Sequence, residues 1–132
     1  MTRPIDRRAL LGRALGATAA ALSGPARAQQ SRAGALTGAS GHTVKGSVAV
    51  DTADGRSVVR FSEDFVLDNA PDAYVSFGTR DGFAEGTDFE KMKSLSGAQS
   101  YTVPQGIDPG EHEAVWLWCR RFAVPLAVAP LN

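Results

Sequence analysis

A chain of 132 residues with 14 basic and 14 acidic side chains has room for one domain and carries no excess charge. The first 28 residues hold five of the basic and one of the acidic residues, so the remainder has nine basic and 13 acidic residues, a net charge of −4. This balance argues against nucleic acid and anionic membrane surfaces as partners. The single cysteine, Cys119, excludes an internal disulfide.

Residues 1–28 have the layout of a secretory signal, with a basic start, an alanine-rich apolar span and an A-x-A cleavage site. The adjacent Arg7 and Arg8, followed by Ala-Leu-Leu, are similar to the twin-arginine export motif. We predict export by that route, cleavage after Ala28, and a mature protein in the periplasm or outside the cell. The alternative is an ordinary secretory signal that contains an Arg-Arg pair. The apolar span is shorter than the roughly 20 strongly apolar residues of a transmembrane helix, so no membrane span is predicted in the mature protein.

Residues 29–40 are rich in Gly, Ala, Ser and Thr, a composition that predicts a flexible lead-in. The next residues, 41–50, alternate between apolar and polar side chains, which predicts a half-buried strand. An Asp-Gly pair, a strong hairpin turn signal, separates this run from a second alternating run at 56–61. We therefore predict a β-hairpin of 41–50 with 56–61.

The rest of the chain consists of short apolar runs separated by turn residues. Residues 88–95 predict one or two helical turns. Further strands are predicted at 65–67, 73–77, 99–103, 114–119 and 122–128. With the hairpin this gives about seven short antiparallel strands and at most one short helix. The sequence thus predicts an all-β domain over residues 41–132, a single small β-sandwich or a partly open barrel.

Cys119 is the first candidate for chemistry, and it has two interpretations. In a strand it shares a face with Leu117 and Arg121, while Trp118 takes the opposite face. Cysteine is often a small buried hydrophobe, which is the structural interpretation. The functional interpretation is a thiol whose thiolate is favoured by the neighbouring arginines. The sequence leaves both open, because it does not give the exposure of the sulfur.

Metal sites and catalytic groups find little support in the sequence. His42, His112, Met92 and Cys119 make up the ligand set of a blue-copper site, but no His or Met follows Cys119 as such sites require. No C-x-x-C-H motif for covalent haem and no G-x-S-x-G motif for a nucleophilic serine is present. We predict no metal ligands and find no catalytic constellation that would indicate an enzyme.

Several pieces of sequence, in this order, resemble the DM-thirteen domain, the "electron transfer DM" family, from about residue 40 to the end. They include Ser40-Gly41-His42, Asn69-Ala70-Pro71-Asp72, Gly97-Ala98-Gln99-Ser100-Tyr101-Thr102-Val103-Pro104 and Trp118-Cys119. The resemblance implies a β-rich domain outside the cytoplasm. It also implies that one cysteine, matching Cys119, acts in redox chemistry as a bare thiol or through a bound prosthetic group such as haem. The supporting site candidates are Trp118, Arg121, Asp72 and His42.

Two functions of different classes follow. The first is an exported electron-transfer or redox accessory domain that uses Cys119 and acts on an unidentified redox partner protein. The second is a non-catalytic binding module of the cell envelope in which Cys119 is structural. Neither the cofactor nor the partner can be named from the sequence.

Overall fold

Residues 29–132, the part of the chain that the computed structural model describes, fold almost entirely as strands. The predicted signal peptide and its twin-arginine pair lie outside the described residues. The strands are β1 Gln30–Ala35, β2 Thr37–Gly38, β3 Val44–Lys45, β4 Ser47–Ala53, β5 Arg56–Phe61, β6 Val66–Leu67, β7 Ala73–Gly78, β8 Glu90–Lys91, β9 Gln99–Thr102, β10 Ala114–Cys119 and β11 Val124–Pro130. Among these described residues, none form a helix long and apolar enough to cross a membrane.

The strands form two main antiparallel sheets and a short ribbon. One sheet has the order β1-β4-β5-β9 and the other β2-β11-β10-β7-β8, while β3 pairs with β6. Apolar side chains from both sheets form one core, to which β4, β5 and β9 contribute from one side and β7, β10 and β11 from the other. This arrangement confirms the predicted all-β class and is that of a small β-sandwich, with no closed barrel.

The predicted hairpin is present as β4 and β5, with Val50 opposite Val59. Asp54 and Gly55 connect the two strands with φ angles of +54° and +77°, the left-handed conformation that a tight two-residue hairpin turn requires. The first predicted strand is interrupted, because Gly46 has a φ of +102° and separates β3 from β4. Val48 and Val50 are buried as the alternation predicts.

The prediction of a flexible lead-in over 29–40 is wrong, because β1 and β2 occupy most of it. The small residues of this segment allow its backbone to pack closely against a neighbouring strand and do not make it flexible. A Cβ built on Gly34 would lie 1.8 Å from the carbonyl oxygen of Pro130, so the β1 backbone touches the end of β11. Between the two strands the chain crosses from one sheet to the other at Leu36, whose side chain is buried in the core.

The helical turns predicted over 88–95 are also wrong. The backbone N–H groups of Phe89 and Met92 donate to the carbonyl oxygens of Val75 and Ala73, so this segment lies along β7 and forms the edge strand β8. Within residues 29–132 the helical structure is a single 3₁₀ turn at Pro109–Glu111. Hydrogen bonds to a neighbouring strand, which are not visible in the local sequence, override the local helical preference.

Candidate functional site

Cys119 is the last residue of β10 and its side chain lies in the core. It stands opposite Ala73 of β7 and Val124 of β11, and it is 1% exposed. Val115 and Leu117 belong to the same core, which confirms the predicted alternation within the strand. The sulfur is therefore packed between strands at one end of the five-stranded sheet.

The strand ends at Cys119, and the four residues 120–123 form an exposed turn that leads into β11. Strand alternation therefore does not extend to Arg121, contrary to our expectation that Arg121 shares the face of the sulfur. Its guanidinium lies 5.6 Å from the ring centre of Phe122, which is 61% exposed. Ala123 completes the turn with a φ of +53°, a conformation that is uncommon for residues other than glycine.

Trp118 lies on the outer face of the same sheet. Its indole stacks on the ring of Phe83, with 3.9 Å between ring centres and an angle of 7° between the planes. Phe83 belongs to the loop between β7 and β8, and this loop thereby covers part of the outer face. Directly across from Trp118 stands Tyr74 of β7.

Arg120 is fixed by contacts to three separate segments. Its backbone N–H donates to the carbonyl oxygen of Asp72 at 3.1 Å. Its side chain donates to Asp88 twice, from Nε to Oδ2 at 2.9 Å and from a terminal nitrogen to the backbone oxygen at 3.2 Å. The guanidinium also lies 3.8 Å from the ring centre of Tyr74, a cation–π contact. The hydrogen bond to Asp88 raises the pKa of Arg120 above its already high ordinary value.

Of the other site candidates, the structure brings Asp72 close to Cys119 and places His42 elsewhere. Asp72 accepts from the residue after the cysteine, and its carboxylate lies 3.3 Å from the ammonium of Lys91. His42 instead contacts the Asp68 carboxylate at 2.8 Å. A hydrogen bond from the backbone of Thr43, followed by the one from His42, lowers the pKa of Asp68. Asp72 and Trp118 therefore form the group around Cys119.

The sequence did not indicate Tyr74 and Asp88 as partners of this site. Tyr74 lies in the strand predicted at 73–77, and Asp88 is the first residue of the helical turns predicted at 88–95. Both reach Arg120 through tertiary packing of β7 and of the segment before β8. No local pattern could have paired them with Arg120, 32 residues beyond Asp88.

The described residues do not fit a haem held through the sulfur. Cys119 is enclosed by core side chains, and four surface pockets of about 300 to 660 Å³ in this part of the chain are all lined by other residues. Of the two histidines, His42 contacts Asp68 and His112 stacks on Phe77. Over residues 29–132, no three side chains of His, Cys, Asp or Glu gather in a group that could hold a metal ion.

Comparison with protein families adds one finding. The family model of electron transfer DM13 matches residues 36–131. The chain belongs to the electron transfer DM13 family. The match begins at Leu36, where the chain crosses between the sheets, and it contains Cys119 and all of the group around it. Membership in the DM13 family implies a role related to electron transfer. Comparisons with curated proteins and with solved structures found no match.

Proposed function

We propose that this DM13 domain is an exported redox accessory domain in which the Cys119 thiol exchanges electrons with a partner protein outside the cytoplasm. One observation carries the proposal: the only cysteine of the chain ends β10 inside the span that matches the family, directly before an exposed turn. Arg120 and Arg121 follow it in that turn.

A bare thiol suits this packing better than a bound prosthetic group, because the sulfur lies among core side chains. The chemistry available to one thiol is exchange with a disulfide. The thiolate attacks one sulfur of the partner disulfide, forms a mixed disulfide, and releases the other partner sulfur as a thiolate. Since the domain has no second cysteine, net reduction of the partner needs a second thiol such as glutathione. Its thiolate attacks the Cys119 sulfur of the mixed disulfide, releases the second partner sulfur as a thiolate, and leaves Cys119 joined to glutathione.

The test is a redox titration of the purified, exported protein in glutathione buffers under native conditions, read by mass spectrometry. We expect one glutathione per chain at oxidising potentials, its complete removal at reducing potentials, and none on the Cys119→Ala variant. A visible absorption spectrum of the same sample is the second measurement. Either an unmodified wild-type protein or a haem absorption band would refute the bare-thiol role.

The second candidate function is a non-catalytic binding module of the cell envelope, and the 1% exposure of Cys119 favours it. In that case the sulfur is a small hydrophobe that fills space between strands. The titration separates the two functions, because a structural cysteine stays unmodified until the protein unfolds.

Export by the twin-arginine route is part of the proposal and rests on Arg7 and Arg8. Changing both residues to Lys should leave unprocessed precursor in the cytoplasm. A variant that is processed and exported at the normal rate would contradict this part of the proposal, without affecting the role of Cys119.

A further inference from the structure

We propose that Arg120 is a latch that keeps the end of β10 closed, and that release of this latch brings the Cys119 sulfur within reach of a redox partner. The use of the latch rests on the proposed function. The latch itself follows from the packing at the end of the strand and can be tested separately.

Arg120 is the first residue of the turn 120–123, and its contacts hold the turn to the rest of the sheet. Its backbone N–H donates to Asp72, the residue before β7, and its guanidinium donates to Asp88 before β8. The guanidinium carbon also lies over the ring of Tyr74 within β7. A guanidinium can combine a forked hydrogen bond with stacking on a ring, which an ammonium cannot do. One side chain therefore ties the turn to two neighbouring strands of the sheet.

Beyond Arg120 the turn has little to hold it. Arg121, Phe122 and Ala123 are all exposed, so they bury little apolar surface. Ala123 also has the left-handed backbone conformation, which costs free energy in residues other than glycine. With few buried contacts of its own, this turn belongs to the kind of segment that opens locally without global unfolding.

Cys119 is placed to follow the turn when it opens. It is the last paired residue of β10, so opening requires the loss of its pairing with Ala73 and Val124 in addition to the contacts of Arg120. Val115 and Leu117 lie deeper in the strand and keep the core closed. A motion confined to the end of one strand thus changes the sulfur from buried to accessible, while most of the sandwich stays folded.

The experiment measures the rate at which iodoacetamide alkylates Cys119 in urea concentrations below the unfolding transition. We expect a wild-type rate that does not depend on urea, because local opening exposes little surface. Arg120→Ala should raise this rate about fivefold to tenfold, the combined effect of losing one surface ion pair and one cation–π contact. A variant that removes the same charge elsewhere separates opening of the strand end from loss of a positive charge.

The chain offers a matched control in Arg60, whose Nε lies 2.6 Å from the Asp51 carboxylate in the other sheet. Arg60→Ala removes the same charge and the same type of exposed pair, and should change alkylation only as far as global stability changes. Asp88→Ala removes the carboxylate partner of Arg120 and should also raise the alkylation rate, by less than Arg120→Ala because the Tyr74 contact remains. It also serves if Arg120→Ala does not fold.

Two results would overturn the latch. One is an equal acceleration by Arg120→Ala and Arg60→Ala after correction for global stability. The other is alkylation that follows the urea dependence of global unfolding in both the wild type and the latch variants. The proposed function fails on a different measurement, since the glutathione titration tests redox exchange and the alkylation rates test access to the sulfur.

Discussion

Replacement of Gly34 by Ala tests the docking of β1 on β11 with the smallest possible change. The added Cβ would lie 1.8 Å from the carbonyl oxygen of Pro130 and 2.8 Å from its carbonyl carbon, whereas ordinary contacts begin at 3.4 Å. Both of these atoms are backbone, so no side-chain rotation can relieve the overlap. One of the two strands would have to move by about 1.6 Å, the difference between the oxygen distance and an ordinary contact.

A shift of this size disturbs hydrogen bonds as well as packing. Gly34 stands opposite Val48 in the β1–β4 ladder, and the neighbouring Ala33 accepts a hydrogen bond from the backbone N–H of Asn132 at 3.1 Å. We expect Gly34→Ala to lower the free energy of unfolding by about 2 to 4 kcal/mol, a large share of the stability of a small domain. This corresponds to a fall in Tm of roughly 10 to 20 °C.

The assay is thermal and urea unfolding of the exported protein, followed by circular dichroism and tryptophan fluorescence. Gly106→Ala is the matched control, because a Cβ built there meets nothing within 4 Å. That variant should be neutral or more stable by up to about 1 kcal/mol, since alanine restricts the unfolded chain. If Gly34→Ala unfolds within about 0.5 kcal/mol of the wild type, β1 does not dock as described and the reasoning fails.

Two further predictions concern the cysteine and acid stability. Cys119→Ala should lower the free energy of unfolding by about 1 to 2 kcal/mol. Cys119→Ser should lower it by about 1 to 3 kcal/mol more, because the serine hydroxyl is buried in an apolar site. Equal melting temperatures of the two variants would contradict the burial of the sulfur. The pKa of Asp68 is lowered in the folded state, chiefly by the Thr43 backbone, so its contribution to stability is present above the ordinary pKa of 3.8 and is lost as pH falls below it. Asp68→Asn should therefore weaken the dependence of unfolding free energy on pH below about pH 5, and an unchanged dependence would refute this role.

The sequence allowed prediction of those strands whose signals are local. In β4 and β5 the alternation of Val48 and Val50, with an Asp-Gly turn next to them, contains the information needed for pairing, since the turn fixes the register. Strand β1 has no such signal, because its partner surfaces require small residues such as Gly34. A run of small residues is found both in flexible segments and in closely packed strands. Only the position of Pro130 against Gly34 shows that this segment is a closely packed strand.

The site was predictable in part for the same reason. Alternation places Cys119 on the same face of its strand as Leu117, but both faces of this strand carry apolar side chains. The sequence therefore gives the face of the sulfur and not its exposure. The contacts of Arg120 depend on where β7 and the segment before β8 come to lie, and this is a property of the whole sheet. The sequence predicts helical turns over 88–95, because the hydrogen bonds that hold this segment to β7 are formed with residues far away in sequence.

The crossing at Leu36 places one short piece of chain at the borders of both sheets. β1 covers the open side of β4, and β2 covers part of the open side of β11. Loss of residues 30–38, by proteolysis or truncation, would uncover unpaired N–H and C=O groups on both sheets at once. Exposed strand edges pair readily with other chains. We therefore expect the shortened protein to self-associate, so that this N-terminal piece protects the domain from aggregation as well as adding to its stability.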